Sequence, residues 1–151
     1  MQHATPNTQH PTPNTQHPTP NTQHATEIRD ASNYDLEDRL LDYAARIIRL
    51  TGALPRSRAG SHVADQLLRS GTSPLSNHGE AQAAESPEDF IHKLSVALKE
   101  LKESRRWLRL IVKAQLVKET QRMEPLIVET EELIRIFGAS IRTSRERKEK
   151  K

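Results

Sequence analysis

The stretch "SPEDFIHKLSVALKELKESRRWLRLIVK", residues 86–113, predicts one long amphipathic helix. Ser86 is a residue type that caps helix N-termini, Pro87 suits the first helical position, and two acidic residues follow where the helix dipole favours them. Apolar residues then recur at three- and four-residue steps, as in a heptad seam that Ser104 interrupts, and the helix is expected to reach about Ala114. The seam consists of Phe90, Leu94, Ala97, Leu101, Leu108 and Ile111.

Three more segments have an apolar stripe with helical spacing: about 35–51, 61–84 and 123–142. Ser61 is a plausible cap for the second of these segments. Pro74 predicts a kink or a short break within it, because proline cannot donate its backbone hydrogen bond. Short connections between amphipathic helices favour antiparallel neighbours, so the sequence predicts an all-α, up-down four-helix bundle.

Composition supports this fold class and indicates the cellular compartment in which the protein is expected. The chain has 151 residues with 34% hydrophobic and only 3% aromatic residues, which favours helices over sheet. There is no cysteine, which excludes disulfides and thiolate zinc sites. No apolar run approaches the roughly 18 residues of a membrane span, and the N-terminus lacks the pattern of a signal peptide. We therefore expect a cytoplasmic protein.

The N-terminus is a short tandem repeat. QHATPNT (2–8) is followed by QHPTPNT twice, with recurring proline and no large apolar residue. Such a segment cannot bury enough surface to offset its ordering entropy, so residues 1–26 are expected to be disordered. Each repeat carries one histidine, but a disordered chain pre-organises no metal site. The predicted organisation is this repeat tail, a bundle over 34–141, and a basic tail over 142–151.

The positive charge is local. The whole chain has a net charge of +3, whereas residues 142–151 alone hold six basic and two acidic residues. Residues 1–141 therefore have a net charge of −1. A local patch attracts polyanions where the average charge would not. The cations of this basic tail are Arg142, Arg145, Arg147, Lys148, Lys150 and Lys151.

A second set of cations shares one face of the 86–113 helix, beside the apolar seam; we call it the basic ridge. It can be the solvated side of a helix with local ion pairs, or a surface that follows phosphates. Acidic residues of the fourth helix (Glu124, Glu129, Glu131 and Glu132) could neutralise it across a subunit interface. Trp107 lies beside the seam, where a core-edge or oligomer contact is more common than base stacking. The basic ridge is Lys102, Arg105, Arg106, Arg109 and Lys113.

Catalytic and metal-binding patterns are weak. His62 with Asp65 and Asp89 with His92 have bundle-metal spacing, but they begin different helices and should lie at opposite ends of the bundle. No nucleophile elbow or phosphate loop accompanies the polar cluster of the second helix, in which we expect a semi-buried polar network. We expect no catalytic residue, metal or cofactor. That cluster is Ser70, Thr72, Ser73, Asn77, His78 and Glu80.

Three segments resemble one known family: "LLRSGTS" (67–73), "DFIHKLSVALKEL" (89–101) and "SRRWLRLI" (104–111). They are similar to the four-helix-bundle proteins encoded in intervening sequences of 23S rRNA genes, over roughly residues 34–141. The resemblance implies an antiparallel bundle, a ring-like homo-oligomer that is typically a pentamer, and a basic surface. It also implies a relation to the accessory proteins of diversity-generating retroelements, which work with a reverse transcriptase.

The resemblance supplies no catalytic residues, and it maps the family's basic segment onto Arg105, Arg106 and Arg109. The resulting hypothesis is a non-enzymatic, oligomeric bundle that associates with RNA or a ribonucleoprotein through the basic ridge and the basic tail. The alternative is a protein–protein scaffold whose charges only pair subunits. Salt dependence separates the two, because added ions weaken phosphate contacts steeply.

Overall fold

The computed structural model describes Ala4 and residues 23–151, with side chains inside the helices described from Asp35 onward. The described chain is helical and has no strand, so the predicted all-α class is confirmed. The elements are α1 (Gln23–Ala53), α2 (Arg58–Gln82), α3 (Pro87–Lys113), a 3₁₀ turn (Thr120–Met123) and α4 (Glu124–Glu149).

Consecutive helices pack side by side with alternating direction. Glu80 near the end of α2 pairs with Lys93 near the start of α3, at 2.7 Å between Oε2 and Nζ. Lys148 at the end of α4 reaches back to Glu88 at the start of α3, at 2.9 Å. α1 packs against both α2 and α4. This is the predicted up-down four-helix bundle.

The core follows the predicted apolar stripes of all four helices. Leu101, Leu108 and Ile111 of α3 are fully buried, as the seam predicts. Close approach of α1 and α2 depends on Gly71, because a Cβ there would lie 2.7 Å from Cγ2 of Ile47. The largest fully buried apolar side chains are Leu40, Tyr43, Ile47, Leu67, Leu101, Leu108, Ile111, Leu133 and Phe137.

Four fully buried hydroxyl-bearing residues, one from each helix, lie within this core. Tyr43 and Thr130 are 2.8 Å apart, and since Thr130 also donates to the carbonyl of Leu126, the Tyr43 hydroxyl is the donor between them. Ser104 donates to Ser70 at 2.9 Å, so the serine that interrupts the α3 seam has a partner on α2. Burial raises the pKa of Tyr43 to about 12, although the hydroxyls of Thr130 and Ser104 lower it.

Helix ends differ from the sequence prediction in three places. α2 begins at Arg58, three residues before Ser61, and its cap is Ser57, whose hydroxyl accepts from the amide of Gly60 at 3.1 Å. α4 continues to Glu149, so the predicted basic tail is mostly helical. α1 begins at Gln23 instead of about residue 35. Apart from Ala4 and residues 23–26, the segment predicted to be disordered (1–26) lies outside the described residues. The division into domains stays a prediction.

Pro74 does not break α2. The helix is continuous from Arg58 to Gln82, and Pro74 is fully buried within it, so the predicted short break is wrong. The alternative, a kink at Pro74, stays a prediction. Packing explains the tolerance: the proline ring fills space in the core of the bundle, and this burial offsets the one backbone hydrogen bond that it cannot make. No helix within residues 23–151 is long and apolar enough to cross a membrane.

Candidate nucleic-acid interface

α3 turns the basic ridge away from the core. Leu101 and Leu108 are fully buried, whereas four members of the basic ridge are exposed and Arg105 is half-buried. This division follows from helix geometry, since the ridge cations recur at three- and four-residue steps on a face about 130° from the apolar seam. Lys102, Arg106, Arg109 and Lys113 therefore share one exposed face. Arg105 is one residue before Arg106, about 100° around the helix, and is half-buried.

The carboxylates of Glu100 and Glu103, which are next to the basic ridge in sequence, point the other way, toward α2. Arg69 of α2 binds Glu100 at 3.1 Å and also binds Glu103. The indole nitrogen of Trp107 donates to Glu103 at 3.2 Å. Within residues 35–151, no carboxylate lies within 4 Å of a cation of the basic ridge. The ion pairs of Glu100 and Glu103 are thus made on the α2 side of α3.

Of the four acidic residues in the first half of α4 that could neutralise the basic ridge, two are bonded to a cation of the same chain. Arg39 of α1 binds Glu129 at 2.6 Å and lies 3.5 Å from Glu132. The hydrogen bond to Glu129 raises the pKa of Arg39, which burial lowers. Glu131 follows Ile127 by one turn and so borders the α3 side of α4. Neutralisation of the basic ridge by acidic residues of a neighbouring subunit stays a prediction, now limited mainly to Glu124 and Glu131.

The basic ridge forms one wall of a groove between α3 and α4. Near the end of α3 a depression of about 590 Å³ is lined by Arg106, Arg109 and Lys113, with Ile127 of α4 on the opposite side. A second depression along the same pair of helices, of about 340 Å³, is lined by cations from both helices over an aliphatic floor. Its lining is Ser95, Leu98, Lys99, Lys102, Arg106, Ile141 and Arg145.

Antiparallel packing thereby joins the basic ridge to part of the basic tail. Arg145 shares a depression with Lys102 and Arg106, although more than 35 residues separate them in sequence. Lys148 is bonded to Glu88, and this contact lowers the pKa of the Glu88 carboxyl. Arg147 lines a separate hollow at the start of α3. The remaining cations of the basic tail, Arg142, Lys150 and Lys151, are exposed.

Lys99 is a member of this surface that the sequence analysis missed. It is exposed and lines the same depression as Lys102 and Arg106. Its position three residues before Lys102 and seven before Arg106 places it on the same helix face, so spacing alone was a sufficient signal. Arg145 had no such signal, because its place depends on how α4 packs against α3.

Trp107 does not belong to this groove. Its ring is half-buried and meets His62 of α2 edge to face, with 6.0 Å between ring centroids. This is the core-edge position that the sequence predicted. The same contact places the start of α2 beside the end of α3, which keeps His62 and Asp65 far from the pair Asp89 and His92. The described side chains contain no group of three or more potential metal ligands.

The polar cluster of α2 is divided among separate roles. Ser70 is buried and bonded to α3, and Asn77 donates to the Ser73 hydroxyl at 2.8 Å within the helix. Glu80 is exposed, with its carboxylate on Lys93, so its expected place in a semi-buried network is wrong. His78 is buried edge to face against Phe137, and desolvation lowers its pKa.

Fold and surface together define an all-α four-helix bundle with a cationic groove between its last two helices. Residues 33–139 match the family model described as 23S rRNA-intervening sequence protein, and the chain belongs to that family. A crystal structure of a protein of unknown function from the S23 ribosomal protein family of Bacteroides thetaiotaomicron is similar, with 32% identity and a TM-score of 0.67. The match covers 73% of this chain and 97% of that chain. No curated protein matches the chain.

Proposed function

We propose that this protein is a non-enzymatic, cytoplasmic bundle that associates with RNA, and that its basic ridge and basic tail contact phosphates. One observation carries the proposal: Glu100 and Glu103, the two acidic residues next to the basic ridge in sequence, are bonded to Arg69 on the side of α3 away from that ridge. Local ion pairing, the other role for cations on a solvated helix face, is not made with any carboxylate of residues 35–151. A row of exposed cations that lacks carboxylate partners among these residues attracts a polyanion.

Two further observations support this function. The α3–α4 groove brings Arg145 beside Lys102 and Arg106, which makes the positive surface wider than one helix. The family is named for an intervening sequence of 23S rRNA, and the similar crystal structure is assigned to a ribosomal protein family. Phosphate contacts carry little sequence information, so weak sequence specificity is expected. A reverse-transcriptase-type ribonucleoprotein is one partner that would present such RNA.

The test is RNA binding by fluorescence anisotropy across a salt series. The ridge variant carries Arg106→Ala, Arg109→Ala and Lys113→Ala, three exposed positions with no core contact to lose. The control variant removes the same charge elsewhere, with Arg49→Ala, Arg56→Ala and Arg58→Ala, which are exposed at the α1–α2 end. For the basic tail, neutralising substitutions are better than truncation, because α4 is helical to Glu149.

Each phosphate contact contributes roughly 0.7–0.9 units to the slope of log affinity against log salt. We expect a slope of several units for the unmodified protein, and a slope lower by about two units for the ridge variant, with the control variant unchanged. A tail variant with Arg142→Gln, Arg145→Gln and Arg147→Gln should also lose slope. Absence of binding at low salt, or equal losses in the ridge and control variants, would remove the basis for the proposal.

The second candidate is self-association, with the chain acting as a protein–protein scaffold. Leu41 and Ile48 of α1 and Leu68 of α2 are large apolar residues with 40–54% of their surface exposed, on the two helices that do not line the α3–α4 groove. Leu41 and Ile48 are seven residues apart and so share a face. A patch of this kind fits an isologous or ring-forming interface, including the pentamer that the family resemblance implies.

Oligomer mass decides on self-association independently of RNA. Light scattering during size exclusion should give a multiple of the 17.2 kDa chain, and Leu41→Glu with Ile48→Glu should reduce it to the monomer. If only the oligomer mass responds to salt and RNA never binds, the protein is a scaffold. A monomeric protein at every concentration would exclude the self-association candidate.

A further inference from the structure

The groove between α3 and α4 lacks the aromatic residues with which proteins usually hold single-stranded nucleic acid. Its two depressions are floored by aliphatic side chains and lined by cations. Tyr43 and Phe137 are buried in the core, and Trp107 faces α2. Phe90 is half-buried at the start of α3, where it lines a different hollow. Among the side chains from residue 35 onward, none offers a base an aromatic stacking surface in this groove.

The basic ridge is, however, straight and regular. Lys102, Arg106, Arg109 and Lys113 follow one another at steps of four, three and four residues on one continuous helix. With a rise of about 1.5 Å per residue, the row is about 16.5 Å long, and its cations are about 4.5–6 Å apart along the axis. The helix backbone fixes this spacing before any ligand binds.

We infer that the basic ridge follows the phosphate backbone of double-helical RNA and discriminates against single strands; this inference rests on the proposed function. A duplex presents rigid, dense lines of phosphates, with one charge per about 1.7 Å of axis in double-stranded DNA, so a length of duplex equal to this row carries roughly ten charges over its two strands. A single strand must be straightened to meet the same row, and it gains no stacking on aromatic rings in return.

Recognition of this kind reads shape and phosphates instead of bases. The grooves of an RNA duplex display hydroxyls and phosphates, and proteins recognise it mostly through these groups. Arg145 on the opposite wall of the groove adds a cation beside Lys102, which widens the contact beyond a single phosphate row. The basic ridge supplies cations, and phosphates are common to RNA and DNA duplexes, so the shared ligand chemistry is a double-helical phosphate backbone.

The experiment compares four fluorescein-labelled probes of 20 nucleotides or base pairs with the full chain at one salt concentration. They are an RNA duplex, each of its separate strands chosen to be unstructured, and the DNA duplex of the same sequence. We expect the RNA duplex to bind at least about tenfold more tightly than either strand, because only the strand must be ordered without stacking. We expect the DNA duplex to bind within about tenfold of the RNA duplex, since phosphates dominate.

The outcomes separate this inference from the proposed function. Strands that bind as tightly as the duplex, in a manner lost in the ridge variant, would overturn the duplex inference and leave RNA association intact. Failure of every probe at low salt would overturn both. An RNA duplex that binds while the DNA duplex does not would overturn the claim that the basic ridge reads phosphates alone. The ridge variant should lose the duplex preference, and the control variant should keep it.

Discussion

The buried hydroxyl pair of Tyr43 and Thr130 gives a quantitative test of the core. Tyr43→Phe removes one neutral hydrogen bond and leaves no donor without an acceptor, because Thr130 still donates to Leu126, so the loss should be about 1 kcal/mol. Thr130→Val instead leaves the Tyr43 hydroxyl buried without its acceptor, which costs about 1–3 kcal/mol. This cost lies at the low end of the range if the Ser104 hydroxyl, which also interacts with Tyr43, accepts the hydrogen bond from the Tyr43 hydroxyl in the variant.

The double variant, Tyr43→Phe with Thr130→Val, distinguishes a hydrogen bond between the two side chains from two independent packing changes. With both partners apolar and of the same shape, no donor or acceptor is stranded, so the double variant should be no less stable than Thr130→Val alone. The assay is urea denaturation followed by fluorescence of Trp107, the only tryptophan, with unchanged dependence on urea concentration as the check on two-state unfolding. Additive losses, within about 0.3–0.5 kcal/mol, would refute the bond between the two hydroxyls.

Other predictions follow from single contacts. Tyr43 has a raised pKa of about 12 against 10.0 for an ordinary tyrosine, so its contribution to the free energy of unfolding should be fully present below pH 10. This contribution should be lost as pH rises toward 12, by about 3 kcal/mol in total, and Tyr43→Phe should abolish the loss. Gly71→Ala should lower the free energy of unfolding by about 1–3 kcal/mol, seen as a lower urea midpoint, because the added Cβ overlaps Ile47. Gly79→Ala in the same helix places its Cβ in open space and should raise the free energy of unfolding by up to about 1 kcal/mol. His78 has a lowered pKa, so stability should fall as pH drops below 6.5, the pKa of an ordinary histidine, and a His78→Gln variant should lack this dependence in urea titrations at pH 5 and 7.5. Glu80→Ala should change the thermal midpoint little, since its ion pair is exposed and such pairs contribute roughly 0–1 kcal/mol.

Periodicity predicted most of the fold because each helix buries one continuous stripe. The α3 cap at Ser86, the seam through Leu108 and the outward face of the basic ridge all follow from spacing within one helix. The spacing of apolar residues does not show where a helix ends when its last turns contain only polar residues. The predicted end of α4 near Arg142 was therefore early, since Arg, Lys and Glu form helix well and basic residues suit a helix C-terminus.

Contacts between helices could not be predicted in the same way. Glu103 and Lys102 are adjacent in sequence, yet one is bonded to α2 and the other lines the α3–α4 groove. Which side each takes depends on the order of the helices around the bundle. Pro74 shows the same limit, because a rule for isolated helices predicts a break, and burial in the core prevented it.

The most direct test of the central claim is to locate bound RNA on the protein surface. The chain has no cysteine, so one introduced thiol can carry a photoactivatable crosslinker at a single site. Leu110 is exposed and lines the groove beside the basic ridge, and Leu110→Cys keeps every cation; Ser76→Cys, exposed on α2, is the control. The account predicts salt-sensitive crosslinking of an RNA duplex at residue 110 and only background at residue 76. Equal crosslinking at the two sites would contradict it.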